Sequence, residues 1–447
     1  MNSSNNSFSE MNIAPCFIKR LEERNIVTPT DIQKKIIPRL SSRQNVFFSS
    51  ATGTGKTFAY LLPILSSLTG NISQGNKESE RKLNTKTRKS QDTAPRFVII
   101  APTLELSAQI KTEIDFLLES GSDEVSGGMN LKSSLVIGSA GIDSQIEELK
   151  RINPDIITGN LSRLLMLSKM GKIKFSSLEF LVFDEADRLV SGEILDDTCE
   201  LCEIIRHGAQ KSESDFIFAA CSATINEKCR EKLLSNCFGR DTDDLDKINI
   251  IESDNNEILR EKIEHWAIFS EKRRKDQTLR SLLAALNGSA QEGGQISRKS
   301  KKTKIKALIF TSRNDEALFV LSRLQHHHVS AAGLFGKAGK KAVSGENRKE
   351  ALDLFREEKV TALVSTDLAA RGLDIQGITH VIALDVPSDK EVYIHRCGRT
   401  ARAGKTGVMV TIGDETQMRL LSSLEKKLKI KIYPKELRYG QICAPLI

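Results

Sequence analysis

Residues 50–57 have the sequence SATGTGKT, in which two glycines, a lysine and a threonine are spaced as phosphate binding requires. Glycines let the backbone wrap closely around an anion, so that amide N–H groups point at phosphate oxygens. The run follows an apolar segment and opens a helical one, whose positive dipole end would add to this attraction. Lys56 would meet the β- and γ-phosphates of a nucleotide, and Thr57 would bind Mg²⁺. The predicted nucleotide-binding residues of this loop are Thr52, Gly53, Thr54, Gly55, Lys56 and Thr57.

A second group with catalytic potential is the acidic sequence DEAD at residues 184–187, directly after the apolar run Phe180–Phe183. A carboxylate just beyond a buried strand lies where a Mg²⁺-binding acid is needed beside a phosphate loop. Asp184 is therefore a predicted Mg²⁺ ligand, together with Thr57. The neighbouring carboxylate of Glu185 would polarise an attacking water.

Short apolar runs alternate with amphipathic helical stretches such as Thr103–Glu119 and Asp143–Arg151. Runs that are apolar throughout are typical of strands buried on both faces of a parallel sheet. The predicted strands of the first half are Asn45–Ser49, Phe97–Ala101, Ser134–Ile137, Asp155–Thr158, Phe180–Phe183 and Phe216–Ala220. Those of the second half are Ile263–Phe269, Ala307–Thr311, Ser330–Leu334, Thr361–Ser365, His380–Leu384 and Gly407–Thr411. The alternation predicts two tandem α/β domains, each a doubly wound parallel sheet.

Polar stretches divide the chain between these domains. We predict a first domain at 1–240, a linker at 241–258, a second domain at 259–430 and a short tail at 431–447. Two segments, at about 70–95 and 288–304, are polar and basic and interrupt the alternation. They are either solvated insertions or electrostatic arms for nucleic-acid phosphates.

Composition limits the class of protein. The 447 residues have a net charge of +8, which weakly favours a polyanionic partner, and contain no apolar run of membrane-spanning length. The N-terminus lacks a secretory pattern, and the eight cysteines are scattered. Cys199 and Cys202 form a C-x-x-C pair, which we interpret as a helical core face rather than half of a zinc site. We expect a soluble cytoplasmic protein, monomeric and without a membrane partner.

Further motifs complete a resemblance to the DEAD-box ATP-dependent RNA helicases of helicase superfamily 2. The sequence SAT lies at 222–224, TDLAARGLD at 366–374 and HRCGRTAR at 395–402. TPTDIQ at 28–33 resembles the family's adenine-sensing Q motif, with Phe8 at the expected upstream aromatic position. The match extends in order from Phe8 to about Gly407. It implies two RecA-like domains with the ATP site in the cleft between them.

The resemblance implies a role for individual residues. Gln33 would hydrogen-bond adenine and Phe8 would pack on its face, while Arg371, Gly372 and Asp374 would close the cleft or contact the ribose. Arg399 and Arg402 would be arginine fingers for the γ-phosphate. The implied catalytic residues are Lys56, Asp184, Glu185, His395, Arg399 and Arg402. The residues implied in coupling the two domains are Asp187, Ser222, Thr224, His395 and Arg396. The arginines at 396, 399 and 402 recur every third residue, so we expect them to share one helical side.

The departures from the family pattern fall in the motifs implied in RNA binding. Leu104 stands where the family has an arginine, Asn160-Leu161-Ser162-Arg163 replaces T-P-G-R, and Gly345 replaces the glutamine of a Q-x-x-R pattern. The ATPase motifs are close to intact, apart from Ser50 in place of the first P-loop glycine. The implied RNA-binding residues are Pro102, Thr103, Gly138, Asn160, Arg163, Thr311, Thr366 and Asp367.

These observations leave two main hypotheses. The first is an RNA-stimulated ATPase, with ATP and Mg²⁺ as cofactors, that opens short RNA duplexes or remodels ribonucleoproteins such as ribosome-assembly particles. The second is an ATP-dependent RNA clamp with little unwinding activity, which the departures favour. A DNA helicase of the same superfamily is a third hypothesis, against which the Q motif and the DEAD sequence argue by resemblance.

Overall fold

The computed structural model of the chain describes fifteen stretches, which are residues 7–50, 53–70, 93–119, 131–210, 216–223, 225, 227–237, 248, 250–252, 259–288, 305–335, 345–370, 375–387, 389–401 and 405–445. Five predicted site residues lie outside them, namely Thr52, Thr224, Gly372, Asp374 and Arg402. Arg371, most of both basic segments and most of the predicted linker lie outside them as well.

The chain divides into two compact units, with the division at Ser253–Asp254. The first unit contains a sheet of seven strands in the order β3-β4-β2-β5-β6-β1-β7, with every pair parallel. Its strands are β1 Val46–Ser49, β2 Phe97–Ala101, β3 Ser133–Val136, β4 Ile156–Asn160, β5 Phe180–Asp184, β6 Ile217–Ser222 and β7 Ile250–Glu252. Its helices are α1 Pro15–Glu23, α2 Asp31–Ser41, α3 Lys56–Leu68, α4 Leu104–Leu118, α5 Ile142–Ile152, α6 Leu161–Lys169, α7 Ala186–Leu189, α8 Leu195–Gln210 and α9 Glu227–Glu231.

Each face of the first sheet has its own apolar core. Phe47 and Phe48, successive residues of β1, belong to different core clusters because side chains alternate along a strand. Burial on both faces explains why these strands are apolar throughout, as the sequence predicts. Cys202 of α8 is fully buried in one of these cores and Cys199 packs against it.

The second unit has an eight-stranded sheet in the order β10-β11-β9-β12-β13-β8-β14-β15, in which the last pair alone is antiparallel. The strands are β8 Ile263–Phe269, β9 Ala307–Thr311, β10 Ala331–Leu334, β11 Ala362–Thr366, β12 His380–Ala383, β13 Gly407–Gly413, β14 Ile432–Arg438 and β15 Gln441–Cys443. The helices are α10 Lys275–Gly288, α11 Asn314–His326, α12 Gly345–Arg356, α13 Asp367–Ala370, α14 Lys390–Cys397 and α15 Glu415–Leu428.

Three strands differ from the sequence-based expectation. The sequence assigns residues 250–252 to the linker and 432–443 to a tail, but β7 pairs with β1 and the β14–β15 hairpin extends the second sheet beyond β8. The edge strands β7 and β15 have one unpaired side and need not be apolar, and β14, the strand next to the edge, carries the polar run Lys435–Glu436. Hydrophobic patterning therefore gives little signal for them.

Aromatic side chains make specific contacts within the second unit. His265 of β8 shares a hydrogen bond of 2.9 Å with the Tyr393 hydroxyl on α14, and its other ring nitrogen lies 2.9 Å from the Leu259 carbonyl. Next to it in the chain, the Trp266 ring lies 6.3 Å from the His380 ring, centroid to centroid. Among the described residues, no helix combines the length and the apolar character that crossing a membrane requires.

Candidate functional site

The chemically active residues of the first unit lie at the carboxyl edge of its sheet, where the strands give way to loops and helices. Strand order divides this edge in two. The ends of β5, β6 and β1 are neighbours and form what we call the P-loop half. The ends of β3, β4 and β2 form the outer half.

In the P-loop half, the phosphate loop is fixed by its own hydrogen bonds. The backbone N–H of Ser50 donates to the Ser222 carbonyl at the end of β6 (3.1 Å), and the hydroxyls of Ser50 and Thr54 lie 2.5 Å apart. Lys56 Nζ donates to the Ser50 carbonyl over 2.5 Å. Ser50 is therefore a structural residue here, with a backbone that does not need glycine. Gly55, by contrast, has φ +87° and begins α3 without a side-chain cap, which leaves first-turn N–H groups for an anion.

Gln33 connects the Q-motif helix α2 to this loop. Its Nε2 donates to the Gly55 carbonyl (3.1 Å), and its Oε1 accepts from the Thr30 N–H in a capping box (2.9 Å). A Cβ at Gly55 would lie 2.4 Å from Gln33 Nε2, so a side chain at that position would collide with the amide. Phe8, whose ring the resemblance places on adenine, is buried in the apolar core of the unit. The structure thus places Gln33 beside the loop, and Phe8 in the core.

Asp184, at the end of β5, has a buried carboxylate. Its Oδ2 accepts from the Tyr60 hydroxyl (2.9 Å), and its Oδ1 accepts from Cys221 Sγ (3.3 Å) and from the Glu185 N–H (2.9 Å). Burial raises the pKa of Asp184, and the positive charge of Lys56 opposes that rise. The predicted phosphate-binding lysine is thus near enough to the predicted Mg²⁺ ligand for its charge to act on it.

Glu185 has a left-handed backbone, with φ 51° and ψ 51°, at the turn from β5 into α7. Such a conformation in a residue other than glycine is costly, and it is found where a side chain must be aimed. The side chain is buried, and its Oε2 accepts no hydrogen bond from any residue that the structure describes. A buried carboxylate oxygen without a donor suits the acceptance of a proton. Asp187 follows in α7, partly buried, and Ser222 is fully buried at the end of β6.

In the outer half, two helices begin side by side. Ala101 and Asn160 are register partners at the ends of β2 and β4, so α4 and α6 start from neighbouring strands. Thr103 caps α4 by accepting from the Leu106 N–H (3.2 Å), directly after Pro102. Asn160 precedes α6 without capping it, and its Oδ1 has no partner among the described residues. Two adjacent helix N-termini offer positive partial charge to neighbouring phosphates.

Arg163 stabilises the outer half from the interior of the first unit. Its Nη2 donates to the carbonyls of Gly138 (2.9 Å) and Ala140 (2.8 Å), in the loop that follows β3. Because Arg163 is buried, it holds the Gly138 loop in place rather than presenting a charge to solvent. Leu104, the first residue of α4, is 41% exposed and leaves an uncharged position beside the helix N-terminus.

The predicted RNA-binding residues of the second unit also lie at a carboxyl edge. Thr311 and Thr366 are register partners at the ends of β9 and β11. Thr366 donates to Asn314 Oδ1 (3.4 Å), and Thr311 donates to the Arg313 carbonyl (3.2 Å). Both threonines are buried.

Asp367 and Arg396 form an ion pair inside the second unit. The Arg396 side chain is 2% exposed, and its Nε and Nη2 each lie 2.7 Å from an Asp367 oxygen. Nη2 also contacts Asp385 Oδ2 at 2.9 Å. The two side chains are therefore engaged with each other within the second unit, while RNA binding by Asp367 and domain coupling by Arg396 stay predictions.

The expectation that the arginines at 396, 399 and 402 share one helical side is wrong for the two that the structure describes. Helix α14 ends at Cys397 and Gly398 caps it, so Arg399 lies beyond the helix. Arg399 is buried, with Nε donating to the His395 carbonyl (3.3 Å), and His395 is buried too. Arg396 faces the interior of the unit, which excludes a solvated basic face at this position.

Sequence reasoning missed three functional neighbours. Tyr60 lies four residues after Lys56, hence on the same helix face, and Cys221 is the register partner of Asp184. Asp385 follows β12, next to β9. The helix spacing could have indicated Tyr60, but the other two depend on strand pairing that one sequence does not reveal.

A P-loop after β1 and two acids after β5, on the carboxyl edge of a parallel sheet, define the class of P-loop nucleotide-binding proteins. Comparison with protein families then narrows the class. The model described as DEAD/DEAH box helicase matches residues 30–232, and the model described as Helicase conserved C-terminal domain matches residues 275–404. The ATP-dependent rRNA helicase RRP3 of Candida glabrata is 30% identical over 437 residues, covering 96% of this chain and 74% of its own. The chain belongs to the DEAD/DEAH box helicase family.

Other relatives agree in length and fold. The DEAD-box ATP-dependent RNA helicase CshC of Bacillus cereus is 29% identical over 414 residues, covering 92% of this chain and 88% of its own. A solved structure of Mss116p bound to ssRNA and AMP-PNP is similar with TM-score 0.78 and 24% identity, over 98% of this chain and 80% of that one. Dbp5 of S. cerevisiae, bound to RNA and ADP BeF3, is similar with TM-score 0.72 and 21% identity, over 96% of each chain. These structural likenesses support the same two-sheet α/β fold.

Proposed function

We propose that this chain is an ATP-dependent RNA helicase, whose ATP hydrolysis is stimulated by RNA and coupled to local opening of short duplexes. The observation that supports this proposal best is that the carboxyl edge of the first sheet has two halves with different functional groups. One half holds the P-loop, Asp184 and Glu185, and the other presents the adjacent N-termini of α4 and α6. A nucleotide and a nucleic-acid backbone would then bind to a single rigid sheet.

ATP would be held by the loop and by the start of α3. The first-turn N–H groups of α3 and the Lys56 ammonium supply positive charge to the phosphates. Lys56 would exchange its bond with the Ser50 carbonyl for the phosphate oxygens. Gln33 has a second amide hydrogen beside the one bonded to Gly55, and we assign that hydrogen to adenine.

The residues present fit Mg²⁺, a cation that prefers oxygen ligands and retains its waters. Asp184 would hold it through water and Thr57 directly. When bound, Mg²⁺ neutralises negative charge on the β- and γ-phosphate oxygens.

Glu185 would accept the proton of the attacking water through its buried Oε2. Arg399 and Arg402, with His395, would complete the site from the second domain. Arginine fingers increase the rate of hydrolysis about 10³–10⁵-fold because they stabilise negative charge that develops in the transition state. Hydrolysis would thus depend on closure of the two domains, and RNA bound to both would favour closure.

RNA would contact the outer half through Pro102, Thr103, Gly138 and Asn160, and the second domain through Thr311 and Thr366. Arg163 and Asp367 would act indirectly, since both hold other parts of their own unit in place. Single strands, short duplexes and ribonucleoproteins are the partner classes we propose. The RRP3 relatives are named rRNA helicases, which makes ribosomal RNA the first substrate to test. A monomeric cytoplasmic enzyme stays the expectation.

The test is a strand-displacement assay on a short RNA duplex with purified protein, run beside an ATPase assay with and without single-stranded RNA. We expect displacement that requires ATP and ATPase that rises with RNA. Matched DNA should compete poorly. Retention of RNA with ATP but no displacement would instead indicate the clamp, a function that the names of the relatives do not favour.

Two variants separate binding from chemistry. Lys56→Ala should weaken ATP binding and turnover together. Arg399→Ala should bind ATP normally but lose about 10³–10⁵ in turnover, because the finger acts late. Equal losses of ATP affinity in both variants, measured by fluorescence titration, would contradict this division of roles.

A further inference from the structure

The carboxylate of Asp184 is nearly saturated with hydrogen bonds from its own chain. An ionised carboxylate offers about four lone-pair positions, two on each oxygen. Among the described residues, Cys221 Sγ and the Glu185 N–H occupy those of Oδ1, and the Tyr60 hydroxyl occupies one of Oδ2. One acceptor position therefore remains, and it lies on Oδ2.

Tyr60 also lies beside the other proposed Mg²⁺ ligand. Tyr60 follows Thr57 by three residues in α3, so the two side chains share one helix face, and the Tyr60 hydroxyl donates to Asp184. Tyr60 and Cys221 are both fully buried, so neither side chain is available to the nucleotide itself. Their polar atoms contact Asp184, one of the residues proposed to bind Mg²⁺, rather than the nucleotide.

Resting on the proposed function, we propose that Tyr60 and Cys221 are positioning residues, which reserve one acceptor position of Asp184 Oδ2 for a Mg²⁺-bound water. Tyr60 lies in the same helix as Thr57 and donates to Asp184, so its hydroxyl holds the Asp184 carboxylate at the helix that carries the other ligand. Cys221, across the strand pair β5–β6, stops the carboxylate from rotating. Groups that orient metal ligands in this way typically contribute 10–100-fold to metal affinity.

The test is a Mg²⁺ titration of nucleotide binding, followed with a fluorescent ATP analogue. Tyr60→Phe keeps the buried ring and removes the hydroxyl. We expect the half-saturating Mg²⁺ concentration to rise about tenfold, while nucleotide affinity in EDTA stays unchanged. The matched control is Tyr393→Phe, which removes an equally buried hydroxyl that is hydrogen-bonded to His265 in the second unit. It should leave the Mg²⁺ dependence as in the unmodified protein.

Variants of Cys221 provide an independent test of the same proposal. Cys221→Ala removes the donor and should raise the Mg²⁺ requirement, whereas Cys221→Ser keeps a donor and should restore it toward the original value. Unchanged Mg²⁺ dependence in both Tyr60→Phe and Cys221→Ala would overturn the proposal. If the unmodified protein showed no Mg²⁺-dependent ATP binding at all, the proposed function would fail instead, so the two failures are distinguishable.

Discussion

The two halves of the first sheet's carboxyl edge are built on different principles. In the P-loop half, polar side chains hydrogen-bond to one another, as Ser50 does to Thr54 and Tyr60 to Asp184. In the outer half, the recognition groups are two helix N-termini and the Gly138 loop. The side chains there include the exposed Leu104 and Asn160, whose Oδ1 has no partner within the described part of the chain.

This difference accounts for the departures at Leu104 and Asn160 in the outer half, whereas Ser50 is a departure that the P-loop half accommodates with its own hydrogen bonds. A side chain in the P-loop half has several buried partners, so replacing it would leave polar groups without hydrogen bonds. The outer half relies on backbone N–H groups, which every residue type except proline supplies. Loss of one arginine at Leu104 therefore removes a charge but leaves the helix terminus intact.

The sharpest test of the P-loop half is Glu185→Gln. The change preserves shape but removes the base, so turnover should fall by about 10²–10⁴ while ATP and RNA still bind. Single-turnover ATP hydrolysis and RNA affinity measure the two properties separately. Glu148→Gln, at an exposed position of α5, is the matched control. Near-normal turnover of the Glu185 variant would remove that residue from the role of base.

A second test concerns the cost of burying a charge. Because burial raises the pKa of Asp184, the ionised carboxylate destabilises the first unit at neutral pH. Asp184→Asn should abolish Mg²⁺-dependent ATP binding and yet raise the thermal midpoint of the ligand-free protein.

The pH dependence has a definite sign. As the pH falls through the raised pKa of Asp184, the unmodified protein gains the proton in its folded state, and its stability should approach that of the Asn variant. Thermal unfolding followed by circular dichroism between pH 8 and the onset of acid unfolding would show this convergence. A variant that is less stable at every pH would contradict the argument.

The smallest expected effect belongs to the outer half. Leu104→Arg restores one charge beside the N-terminus of α4, where it could neutralise one phosphate. The slope of log affinity against log salt should steepen by about 0.7, and half-maximal ATPase stimulation should need less RNA. A salt titration with single-stranded RNA measures it, with Leu420→Arg at an exposed position of α15 in the second unit as a control for added charge. An unchanged slope would place the RNA path elsewhere.

A second prediction about RNA binding concerns a basic segment that lies outside the described residues. Deleting residues 77–89 should weaken binding and flatten the same slope if that basic segment contacts phosphates. If it is a solvated insertion, affinity and slope should stay as they are.

The sequence predicts most of both sheets, because interior parallel strands are short and apolar throughout. Phe97–Ala101, Ile263–Phe269 and Ala307–Thr311 are strands with the predicted bounds. The P-loop, Asp184 and Glu185 were predictable for a related reason, since each directly follows such a strand.

Partners separated along the chain were not predictable. The ion pair between Arg396 and Asp367 depends on how α14 packs against the end of β11, and the bond from Tyr60 to Asp184 depends on the placement of α3 over β5. The family resemblance implied RNA contacts for Asp367 and Arg163 and domain coupling for Arg396. Hydrogen bonds and an ion pair engage all three with groups of their own unit, which is information that periodicity does not carry.

The contact between Trp266 and His380 makes the second unit spectroscopically distinct. Trp266 is the only tryptophan in the chain. Fluorescence excited at the long-wavelength edge of tryptophan absorption therefore reports the second unit alone. Burial lowers the pKa of His380 to about 4, so the neighbouring ring stays uncharged and should quench the indole only in acid. Because the unfolded chain takes up this proton near pH 6.5, the same histidine weakens the second unit as the pH falls from there to about 4. Trp266 is therefore a natural fluorescent label on the second unit, and its emission should respond to protonation of His380.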